Sequence, residues 1–203
     1  MKVAIIGGTG RAGTEISAEL ARRGHQVTAI ARHPEKAFQD ARVTAVKGDV
    51  NDPAALVEAI RGHDVVVSAV MFADTDPAAL VGVVRDSGVP RYLVVGGAGS
   101  LEVAPGVPFI TTPNFPEVAK VEAGKGAVFL DYLRGVEDID WTYLSPSANF
   151  FVGDRKGSFR LGKDALLVDG EGKSSISYAD YAIALVDEIE MPRHSRARFT
   201  VGY

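Results

Sequence analysis

The 203-residue chain contains no cysteine. Disulfides, thiolate nucleophiles and cysteine-ligated zinc are therefore excluded. The histidines, His25, His33, His63 and His194, are scattered without metal-ligand spacing, so no metal site is expected. Basic residues are in the minority: 22 Lys and Arg face 26 Asp and Glu, a net charge of −4. No basic stripe is available to neutralise phosphates, and no nucleic-acid partner is expected. No apolar run approaches the roughly 18 residues that a membrane helix needs. The start, Met1-Lys2, leads straight into a strand and shows no apolar leader with a cleavage site. The expectation is a soluble, cytoplasmic protein with no membrane partner. Low-complexity segments, Gly/Ser linkers and repeats are also missing, so one domain spanning 1–203 is expected.

What is present is ordinary globular material, 46% hydrophobic and 24% charged. Lys2 to Ile6 is a short apolar run, and glycines follow it at once. The pattern then changes period: Ala12, Ile16 and Leu20 recur at helical spacing, and Gly24 closes the helix. Strands are expected at 26–31, 43–46, 64–68 and 91–95. Between them stand a short helix at 34–38 and two helices opened by Asn51-Asp52-Pro53 and Asp76-Pro77. This alternation predicts βαβ units. Nearly all-apolar strands predict a parallel sheet covered on both faces. The second half is less regular. Four prolines within 105–116 predict an irregular loop, and a helix is expected from Glu117 to about Leu133. A sixth strand is expected at 141–144, a hairpin at 158–168, a capped helix from Ser177 and a last strand at 198–201. The fold class is α/β: a Rossmann-type doubly wound parallel sheet of about six strands, with a small C-terminal substrate-side extension.

Between the first strand and first helix lies Gly7-Gly8-Thr9-Gly10-Arg11-Ala12-Gly13. Glycines at this spacing in this context let a pyrophosphate approach backbone N–H groups at a helix N-terminus. NAD-binding folds usually place Asp or Glu after the second strand for the ribose 2′-hydroxyl. Here Ala31-Arg32-His33 stands instead, and a guanidinium suits a 2′-phosphate. NADP(H) is therefore the preferred cofactor, with NAD(H) second. Asp49 and Val50 after the third strand, and Ser68, Ala69 and Val70 after the fourth, are placed along the cofactor crevice. Asp49 is either an acceptor for the adenine amino group or a turn residue.

These motifs, together with VVGGAGSL at 94–101, Asp140-Trp141-Thr142-Tyr143-Leu144-Ser145-Pro146-Ser147 and the terminal Arg198-to-Tyr203 segment, resemble the atypical short-chain dehydrogenase/reductases. More narrowly they resemble the NmrA-like branch and bacterial proteins named NADH-flavin reductases by similarity. The resemblance implies that the nicotinamide lies near two loops. These are Gly96 to Ser100, with Gly97 and Ala98, and Ser145 to Phe151, with Pro146.

The acid/base pattern of the superfamily's classical members is missing. No tyrosine is followed by lysine four residues later, and Ala98 occupies the usual serine position. That disfavours alcohol–ketone chemistry and fits reduction of a flavin such as FMN, FAD or riboflavin, or of a quinone-like small-molecule acceptor. Such an acceptor needs proximity and orientation more than a side-chain acid. Ser100 is the candidate catalytic residue, as a hydrogen-bond partner of nicotinamide or acceptor, or else a turn cap. Phe150 and Phe151 form either an acceptor shelf or core packing. Segments 105–116 and 145–176 are expected on the substrate side. The alternative is a non-catalytic, NADP(H)-binding redox sensor of NmrA-like type. A sugar-nucleotide epimerase is disfavoured, since little chain remains for a sugar domain. A monomer or homodimer is compatible with all of this.

Overall fold

A computed structural model describes residues 1–203. The first half runs β1 (Lys2–Ile6), α1 (Arg11–Arg22), β2 (Gln26–Ala31), β3 (Val43–Lys47), α2 (Pro53–Ile60), β4 (Val65–Ser68), α3 (Pro77–Ser87) and β5 (Arg91–Val95). Local chemistry sets these boundaries. The Asp52 carboxylate accepts the Ala55 N–H and Asp76 that of Ala78, and a proline follows each cap. Satisfying an otherwise free amide at the helix start stabilises each helix by about 1 kcal/mol. Gly88, at φ 72°, ends α3 in the left-handed region.

The second half runs β6 (Glu102–Ala104), β7 (Val107–Pro108), α4 (Lys120–Arg134), β8 (Asp140–Ser145), β9 (Asn149–Phe151), β10 (Arg160–Gly162), β11 (Ser175–Ser177), α5 (Tyr178–Glu190) and β12 (Ala197–Gly202). The main sheet has the order β10-β12-β8-β5-β4-β1-β2-β3. Every pairing in it is parallel except β10 with β12. The chain winds outward in one direction from β1 to β3, then returns to β4 on the other side of β1. That reversal opens a crevice above the carboxyl ends of β1 and β4.

Two cores flank the sheet. On one face α1 and α5 pack with Ile5, Leu93 and Leu144, and on the other α2, α3 and α4 cover Ala4, Val66, Tyr92 and Tyr143. Ile16 and Leu20 on α1 are fully buried, each contributing about 1.5–3 kcal/mol through the apolar surface removed from water. At the amino edge of the sheet, the buried Arg91 guanidinium donates to Asp140, Thr142 and Glu188. That cluster ties β5, β8 and α5 together, away from the crevice.

The parallel, doubly wound architecture agrees with the sequence, but the strand count does not. The sheet holds eight strands rather than about six, because β12 joins beside β8 and β10 extends the edge. The hairpin expected at 158–168 does not form. Only Arg160–Gly162 is a strand, and its partner is β12. Leu167 folds back over Gly162 and Gly202, whose missing side chains leave room for it. The returning segment bridges to Glu102 instead. The expected helix at Glu117 begins as a 3-10 turn and becomes α-helical at Lys120. No helix is long and apolar enough to cross a membrane.

Candidate functional site

At the reversal point, α1 starts without a cap. Gly10 offers no side chain, and no acidic residue stands in the first turn. The amides of Arg11, Ala12 and Gly13 have no partner within the chain. This differs from α2 and α3, which Asp52 and Asp76 close. Unpartnered amides aligned with the helix dipole form a site for an anion.

The loop glycines divide by cause. A Cβ on Gly7 would stand 2.4 Å from the Ala69 carbonyl oxygen, and Gly7 has φ +86°. A Cβ on Gly13 would stand 2.3 Å from the Gly7 carbonyl oxygen. The fold itself requires both. Gly10 is different: its backbone is ordinary at φ −73°, ψ 169°, and its Cβ would meet only the Gly7 carbonyl oxygen at 3.4 Å and that of Ala69 at 3.9 Å. Nothing in the chain demands glycine there. A side chain would intrude on the space above the free amides, so the cradle fits a ligand that comes close to the backbone.

That space is a cleft of about 680 Å³. Gly7, Thr9 and Gly10 form its base, and Asp49, Val50, Ala69 and Val70 stand along its sides. Arg32, His33 and Lys36 line its far end. Arg32 is exposed and follows β2 directly, and no carboxylate takes the position of a ribose-binding acid. Asp49 accepts from both the backbone and side-chain nitrogen of Asn51, so it also orders its own turn. Ser68 does not face the cleft: it is buried, with its hydroxyl on that of Tyr92. Sequence reasoning missed Lys36, Asn51, Met71, Asp74 and Thr75, all on the cleft wall. The one available signal was Lys36, four residues beyond Arg32 at the end of the 3-10 turn opened by Pro34.

Beyond the cleft, Gly96, Gly97, Ala98 and Ser100 follow β5, and the buried Pro146 follows β8. Gly97 donates its N–H to the Tyr143 hydroxyl, which in turn donates to the Gly126 carbonyl. Burial pushes the Tyr143 hydroxyl above its ordinary value, and the Gly97 contact opposes this only in part. Tyr143 is therefore a neutral brace. Tyr92 and Tyr181 are equally buried and spent on internal bonds to Ser68 and the Leu144 carbonyl. The Ser145 hydroxyl, at the carboxyl end of β8, is buried without a hydrogen-bond partner. The Ser100 hydroxyl accepts from Arg198, whose guanidinium is otherwise held by Asp164. Phe150 packs on Tyr178 and Tyr181, with centroids 4.0 and 4.7 Å away. Phe151 turns to Tyr203.

A dinucleotide fits this donor set. The open amides and the bare Gly10 suit a pyrophosphate, and Arg32 and Lys36 offer positive charge at the far end. The sequence model of the NAD(P)H-binding family matches residues 7–192. An uncharacterised Bacillus subtilis protein, YwnB, is 43% identical over 211 aligned residues, covering 99% of this chain and 98% of its own. A solved Bacteroides thetaiotaomicron structure, provisionally named an epimerase, is 38% identical, with a TM-score of 0.94 over 100% of this chain and 96% of that one. Another, from Streptococcus pneumoniae and provisionally named an NADH-flavin reductase, is 35% identical, with a TM-score of 0.84 over 100% of this chain and 99% of that one.

Proposed function

The chain belongs to the NAD(P)H-binding family, and from that membership we propose that it is a reductase that uses NADPH in preference to NADH and passes hydride to a flavin or quinone-like acceptor. The observation that carries the proposal is the cleft's polarity: uncapped amides at α1 at one end, Arg32 and Lys36 with no competing ribose-binding acid at the other. Arg11, Ala12 and Gly13 hold the pyrophosphate through backbone N–H groups. Arg32 pairs with the 2′-phosphate through its planar fork, and Lys36 adds a second charge. Gly96 to Ala98 and Pro146 flank the nicotinamide.

A reduced nicotinamide, when bound, supplies a hydride. The chain's own part is to orient, exclude water and hold protons. Ser100 accepts from Arg198, which leaves its O–H free to hydrogen-bond the acceptor without giving up the proton. No buried tyrosine is free to act as an acid, so the proton that completes the reduction comes from solvent. This favours acceptors that need none from the protein. Segments 105–116 and 145–176 form the acceptor side, with Phe150 as an apolar flank.

The test is absorbance at 340 nm with purified protein, NADPH or NADH, and a panel of FMN, FAD, riboflavin and a simple quinone. Acceptor-dependent loss of NADPH is expected. Tight NADPH binding with no turnover on any acceptor would sink the reductase reading and favour a redox-sensing binding protein. The missing Tyr–Lys pair is compatible with that alternative too.

A further inference from the structure

We propose that Glu122 is a positioning residue that sets one wall of the cofactor cleft from outside it. Glu122 stands in the first turn of α4. Its Oε1 accepts the Phe72 N–H at 2.7 Å and its Oε2 accepts the Ala73 N–H at 2.8 Å. One carboxylate thus grips two consecutive amides across 50 residues of chain. The gripped turn, Phe72–Asp74, is flanked and ended by cleft residues: Met71 precedes it, Asp74 closes it and Thr75 follows.

The turn has little else to fix its backbone. Locally it keeps a Thr75 N–H bond to the Phe72 carbonyl at 3.2 Å and a Thr75 hydroxyl bond to the Met71 carbonyl at 2.8 Å. The Phe72 ring is anchored separately, against Phe129 and Tyr143 and over Gly126, where a Cβ would come within 3.0 Å of it. The ring holds the residue in place, while the carboxylate decides how the peptide planes on either side are turned. A first-turn acid complements the helix dipole wherever its oxygens point; both oxygens of Glu122 are used on the turn. One turn further along the same helix, the Gly126 carbonyl receives the Tyr143 hydroxyl that also holds Gly97. A single helix therefore braces the loop after β4 and the loop after β5. Preorganisation of a wall by a supporting residue shows in ligand affinity, because a loosened wall must be reordered when the ligand binds.

The inference rests on the reading that this cleft holds the cofactor. Its test uses the full chain with Glu122→Ala and Glu122→Gln. NADPH affinity is read by fluorescence titration at a temperature where each variant is folded. Hydrogen exchange of the Phe72 and Ala73 amides is read alongside. Alanine should weaken NADPH about tenfold. Glutamine, which keeps one acceptor oxygen, should fall between alanine and wild type. Both amides should exchange faster in the variants. A purely fold-supporting role would lower the melting temperature and leave affinity within twofold of wild type, and that result would overturn the proposal. Should the alanine variant not fold, the glutamine variant carries the same criterion. Failure of the wild type to bind NADPH would sink the cofactor reading itself, whereas normal wild-type binding with unchanged variants would sink the clamp alone.

Discussion

The residues of the glycine loop after β1 separate what the fold needs from what an approaching ligand needs. Gly13 is required by its neighbours, since a Cβ would collide with the Gly7 backbone at 2.3 Å. Gly10 has room on the protein side. Gly10→Val should therefore melt within a few degrees of wild type yet lose at least tenfold in NADPH affinity. Gly13→Ala should lower the melting temperature clearly, because backbone must shift to admit the methyl group. Calorimetry beside titration distinguishes the two, and equal thermal losses would contradict this division of roles. The loop and Arg32 were legible in the sequence because glycine spacing and a charge after a strand are local signals. Lys36, Met71 and Thr75 were not, because they stand several residues past the strand ends, on the loops after β2 and β4, and reach the cleft only when those loops fold back over it. Ser68 illustrates the opposite error. Its position at a strand end is correct, but strand alternation turns its hydroxyl inward to Tyr92.

Among the elements, Glu19 joins α1 to the segment between β9 and β10, and Arg23, which it holds, reaches Asp187 and Glu190 on α5. Glu19 on α1 is only 2% exposed and pairs with Arg22, Arg23 and Arg155. Burial alone would raise its pKa, but hydrogen bonds from Arg155 and Arg23 outweigh that and hold it below the ordinary 4.5. A depressed folded value means that the group's stabilisation is present above the ordinary value and is lost as pH falls through the folded one. Glu19→Gln should cost about 1–2 kcal/mol at pH 7, because the Arg22 and Arg155 guanidiniums left behind reach solvent. The gap between wild type and variant in urea unfolding should stay constant from pH 7 to about pH 5 and narrow progressively as pH falls below the ordinary 4.5. A gap that stays fully open at low pH would show that the charge is not its source. Periodicity exposed the βα units well, since each strand and helix there is set by its own residues. It failed at 158–168, where Gly162 and Gly202 let Leu167 cross the sheet edge. That packing joins segments far apart in sequence, and no local pattern encodes it.

The whole molecule is built on a largely parallel sheet that opens a crevice where its winding reverses, and its chemistry follows from what lines that crevice. Ligand binding there should raise global stability. At one hundred times its dissociation constant, NADPH should add about 2.7 kcal/mol, a rise of roughly 5–10 °C in melting temperature for a chain of this size. NADH at the same concentration should give much less. The acceptor is selected by loops rather than by the sheet. The most direct test of the account compares kcat/KM for NADPH and NADH, with the best acceptor found, in wild type and Arg32→Ala. A charge-assisted contact to the 2′-phosphate contributes about 1.5–3 kcal/mol, so wild type should favour NADPH by at least tenfold. The variant should lose that preference through NADPH alone. Equal use of both cofactors by wild type, or a preference that survives the loss of Arg32, would contradict the account.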